Sequence, residues 1–98
     1  MKIQFPIKFT VTEEIIKAAN IFNATNCIGA LSLKAALGKN SDLCNSWCSG
    51  YGHLRWDNRL GDLAGTEVWS VNDKGESINM MEITHSREVI FTLEQPSK

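Results

Sequence analysis

The run CNSWCSGYGH, residues 44–53, gathers the side chains of this chain best suited to chemistry. Cys44, Cys48 and His53 form C-x3-C-x4-H, and Cys27 or His85 would complete four ligands. Thiolate and imidazole donors suit tetrahedral zinc, but structural zinc sites bring a second tight ligand pair, and none is present. Cys44 and Cys48 also fit the packing role that free cysteine usually takes. The balance is against a metal, and no cofactor is expected. A nucleophilic cysteine needs a helix N-terminus, a basic neighbour or a histidine to lower its pKa. Cys27 is the best placed, at the first turn of an expected helix, yet Ile28, Ala30 and Leu31 beside it argue for burial. No orienting acid is identifiable. A Cys44–Cys48 disulfide fits the spacing but not a reducing compartment.

Other catalytic signatures are missing. The chain has no H-E-x-x-H, no D-x-D and no G-x-x-x-x-G-K-S/T, and Ser46 and Ser49 lack a G-x-S-x-G context. An enzyme is not expected. Recognition is better supported: Trp47, Tyr51, His53, Arg55, Trp56 and Arg59 crowd one glycine-bearing segment. Aromatic and guanidinium groups dominate binding hot spots because they bury much area and keep polar handles. The same set could stack a nucleotide base or single-stranded nucleic acid. The plainer alternative is that Trp47 and Trp56 anchor the loop on the core while both arginines are solvated.

The elements that must position these residues follow from periodicity. Ile3, Phe5, Ile7, Phe9 and Val11 alternate and predict a strand, with Pro6 marking it as an edge strand or one bulged near its start. Thr12 caps a helix of about ten residues carrying Ile15, Ile16, Ala19 and Phe22. After a break, Asn26 caps the helix CIGALSLKAALG, which stops at Gly38. Residues 39–50 read as a loop. Tyr51 to Asp57 predicts a strand with Tyr51, His53 and Arg55 on one side and Leu54 and Trp56 on the other. Asn58 to Gly65 is a connection, Glu67 to Val71 a strand, and Asn72 to Gly75 a turn. Ser77 to Ser86 predicts a short helix with Ile78 and Met81 on its face. Glu88 to Leu93 closes the chain as a strand.

The order β-α-α-β-β-(α)-β defines an α+β fold: a mainly antiparallel sheet with two or three helices on one face, the terminal strands pairing. Phe9, Ile16, Leu31, Trp69 and Phe91 are expected in its core. The 98 residues suit a single domain, 1–98.

Ten Lys and Arg against eleven Asp and Glu give a net charge of −1, with no adjacent basic residues, which argues against nucleic acid as the main partner. No stretch approaches a bilayer span and no signal-peptide core opens the chain, so a cytoplasmic protein without membrane contact is expected. A homo-oligomer is compatible with this composition.

The segments IKFTVTEEII, NCIGALSLKAALG and SREVIFTLEQP give a layout that resembles small accessory proteins encoded by phages and mobile elements. That resemblance implies a protein that binds and blocks a host protein or complex, in the host cytoplasm, with bacterial defence systems such as CRISPR effectors among the targets. The expected function is a non-enzymatic protein-binding module of this kind; the alternative is a module for a small ligand, a nucleotide or single-stranded nucleic acid.

Overall fold

The computed structural model describes residues 4–20, 27–38, 45–48, 53–57 and 66–96. It is a small α+β fold in which the described residues form one antiparallel five-stranded sheet with helices on one face.

Strand β1 (Ile7–Val11) is half-buried at Ile7 and Phe9, buried at Val11 and exposed at Lys8 and Thr10. The alternation is as expected, but the strand starts after Pro6 rather than running through it. Proline has no N–H to give a ladder, so pairing begins one residue later; Ile3 lies outside the described residues. Thr12 ends the strand and caps α1 (Glu13–Ala18), its Oγ1 accepting the Ile15 N–H at 3.2 Å. This helix is six residues long, shorter than expected. Ala19 is already extended once Ile15, Ile16 and Ala19 have docked against the core. The expected Phe22 turn lies outside the described residues, and the cap of the next helix is Cys27 rather than the expected Asn26. Glu13 also accepts the Ser86 N–H at 3.2 Å, tying α1 to the entry of the last strand.

Helix α2 (Ile28–Leu37) is capped by Cys27 itself, whose Sγ accepts the Ala30 N–H at 3.5 Å. Cys27 therefore sits one position before the first turn and is buried. Ile28, Ala30, Leu33 and Leu37 form the buried stripe. Gly38 ends the helix at φ 59°, a conformation that costs glycine little.

The segment expected as a loop contains a strand, β2 (Asn45–Cys48), paired with β3 (His53–Asp57). Asn45 and Ser46 favour turns in isolation, and the ladder to Ser46, Trp47 and Cys48 overrides that preference. Strand β4 (Thr66–Val71) pairs with β3 and with β5 (Arg87–Thr92), and β5 pairs with β1, so the terminal strands lie side by side.

The expected helix over 77–86 is not formed. Ser77 bridges back to Val71, and only Met80–Glu82 makes a 3-10 turn, with Asn79 Oδ1 accepting the Met81 N–H at 3.1 Å. Ile78, Met80 and Ile83 are the buried residues while Met81 is 41% exposed, a spacing no single α-helical face provides.

Val11, Val68, Val89 and Phe91 from the sheet meet α2 and Ile78, Met80 and Ile83 in one apolar cluster. Of the expected core residues only Phe91 is fully buried; Phe9, Ile16, Leu31 and Trp69 are half-buried. Helix α2 is rotated so that Leu33, not Leu31, fills the centre, and Trp69 belongs to the other face of the sheet.

Candidate functional site

Paired positions in an antiparallel ladder share a face and successive residues alternate between faces. On β5, Val89 and Phe91 point to the helices, and Ser70 pairs with Phe91, so Val68 and Ser70 share the covered face. Glu67, Trp69 and Val71 belong to the opposite face, and neither Trp69 nor Val71 is part of the helix-packed cluster. The register puts His53 opposite Trp69 and Arg55 opposite Glu67, and β2 extends that row with Trp47 opposite Arg55.

His53 and Trp69 stack, with centroids 4.1 Å apart and planes at 18°. Directly opposed residues have the separation that ring contact needs. His53 Nε2 lies 3.7 Å from Glu67 Oε2, longer than a hydrogen bond and within the range of a charge pair when the imidazole is protonated. The imidazole side chain is 22% exposed and the carboxylate 56%. The stack thus presents ring surface with its Nε2 atom buried, and the polar group open to solvent beside it is the Glu67 carboxylate. Such a surface can bury area against a partner while its rim supplies hydrogen bonds.

Of the residues singled out in the sequence, the structure brings Trp47, His53 and Arg55 onto neighbouring rows of one sheet. Trp56 pairs with Ser46 and Thr66, in the alternate row. Tyr51 and Arg59 lie outside the described residues. For the metal alternative, Cys44 also lies outside them, and Cys48 is in register with Leu54, the row next to that of His53. Among the described residues no three His, Cys, Asp or Glu side chains converge as metal ligands. Cys27, the best-placed candidate nucleophile, is 1% exposed and belongs to the core cluster.

Sequence reasoning missed Glu67 and Trp69 as members of this site. The signal was their parity with Val71, but Val68 and Ser70 give no hydropathic contrast strong enough to assign the faces. Among the described residues no helix is long and apolar enough to cross a membrane. No protein-family model, curated protein or solved structure matches the chain.

Proposed function

We propose that this chain is a non-enzymatic protein-binding module that engages its partner with the sheet face opposite the helices. The observation that carries the reading is the His53–Trp69 stack on that face, outside the helix-packed cluster, with the Trp47–Arg55–Glu67 row beside it. Half-buried aromatic rings flanked by charge are the groups that concentrate binding energy when a partner excludes water from them. The resemblance to phage accessory proteins supports a host protein or complex as the partner, and inhibition of a host or defence function as the outcome of binding.

Affinity capture from host lysate tests this, with the parent chain and Trp47→Ala compared side by side. A defined protein retained by the parent and lost by Trp47→Ala, at equal melting temperature, is the expected result. Equal retention by both chains would move the interface off this face.

A further inference from the structure

Past Val71 the same sheet face opens into a hollow of about 390 Å³. Its apolar lining comes from Pro6, Val71, Ile90 and Pro96, and its charged lining is two carboxylates, Asp73 and Glu94. Among the described residues no Lys, Arg or His lines it and no ion pair engages either acid.

Both carboxylates sit on short, hydrogen-bonded backbone turns. Asn72 Oδ1 accepts the N–H groups of Lys74 and Glu76, each at 2.9 Å, and Asn72 Nδ2 donates to Glu76 at 3.1 Å. Gly75, at φ 79°, closes the turn with its N–H on Asn72 O at 3.0 Å. Asp73 is therefore carried on a turn that the Asn72 side chain holds closed. Glu94 donates its N–H to Thr92 Oγ1 at 3.4 Å just past β5. Lys8, paired with Glu88 at 3.6 Å, and Arg87 line an adjoining hollow of about 280 Å³ that shares Asp73 with this one, yet among the described residues no ion pair joins Asp73 to either of them or to Lys74, the next residue on its turn.

We infer that the hollow receives a lysine or arginine side chain of the partner protein, a specificity that rests on the protein-binding reading above. Long basic side chains lay their methylenes on apolar surface and keep the charged head at its edge. Here the methylenes meet Pro6, Val71, Ile90 and Pro96, and the head meets Asp73 and Glu94, where charge-assisted hydrogen bonds are the stronger kind. A neutral apolar side chain would strip water from two carboxylates and return nothing to them. An acidic one would be repelled.

The test is an amide NMR titration of the full chain with three blocked tripeptides, acetyl-Gly-X-Gly-amide, where X is arginine, norleucine or glutamate. The arginine peptide should shift the amides of Val71, Asp73, Ile90 and Glu94 and saturate in the millimolar range, while the other two should not. Asp73→Asn with Glu94→Gln should weaken the arginine peptide by about fivefold, the upper range for exposed ion pairs. Each single substitution should weaken it in part, at unchanged melting temperature. No localised shift, equal binding of norleucine or glutamate, or full affinity in the double variant would overturn the inference. Because the probe needs no partner, loss of capture by Trp47→Ala and loss of peptide binding here report on separate claims.

Discussion

The two faces of the sheet are built from the same strands and put to different ends. Along β5, Phe91 is fully buried under the helices and its neighbour Ile90 is half-buried on the opposite face. Along β4 the division runs against hydropathy: Ser70 is buried beneath the helices, while Trp69, far larger, stands on the other face stacked with His53. The buried residues of α2 include three small ones, Gly29, Ala30 and Ser32. The face without helices has room for rings. One face therefore carries the helix-packed cluster, and the other, though it buries Val71, presents the aromatic and charged groups that lie outside that cluster.

The sharpest way to break this comparison is to truncate adjacent residues of one strand. Phe91→Ala should cost about 3–5 kcal/mol, as buried phenylalanines do, whereas Ile90→Ala should cost about 1 kcal/mol, in line with its partial burial. Urea unfolding measures both, and equal losses would mean that the two faces share the load. A smaller contrast is expected within α2. Leu33→Ala removes a side chain with no exposure and should cost about 2–5 kcal/mol, and half-buried Leu31→Ala about half as much. A larger loss at Leu31 would rotate the helix by one position from where it is placed.

The third effect is smaller and has the opposite sign. Ser32 and Ser70 bury their hydroxyls without a hydrogen-bond partner among the described residues. Each unsatisfied hydroxyl costs the protein its desolvation, so Ser70→Ala or Ser32→Ala should raise stability by about 1 kcal/mol. Loss of stability in either variant would show that the hydroxyl has an ordered water for a partner, and that the covered face is wetter than its apolar cluster implies.

The fold was largely legible because its first and last strands and α2 obey simple periodicities. Ile7, Phe9 and Val11 alternate, Thr12 is a good cap, and Gly38 is the residue a helix end needs. Three features were hidden for physical reasons. β2 opens with Asn45 and Ser46, which prefer turns, and is too short to show an alternation, so its ladder to β3 is what reveals it as a strand. The segment from Ile78 to Ile83 buries residues at mixed spacing because it is a bridge followed by a 3-10 turn, not a helix. The facing of β4 was ambiguous because both of its sides carry apolar residues. That last ambiguity concealed half of the candidate site: His53 and Arg55 could be read from their side of β3, but Trp69 and Glu67 had to wait for the register. The hollow beside Ile90 was less legible still, since Pro6, Asp73, Glu94 and Pro96 are far apart in sequence and meet only through the pairing of β1, β5 and β4.

The most direct test of the division between the faces is a pair of dissociation constants for the captured partner, measured by calorimetry on Arg55→Ala and Ala35→Arg. Ala35 is exposed on α2, on the helical side of the molecule, and Arg55 lies in the row of Trp47 and Glu67. If the open face binds, Arg55→Ala weakens affinity by about tenfold or more, the scale of an interface residue worth over 1 kcal/mol, and Ala35→Arg leaves it unchanged. Full affinity in Arg55→Ala together with loss in Ala35→Arg would contradict the account and place the interface on the sparsely charged helix.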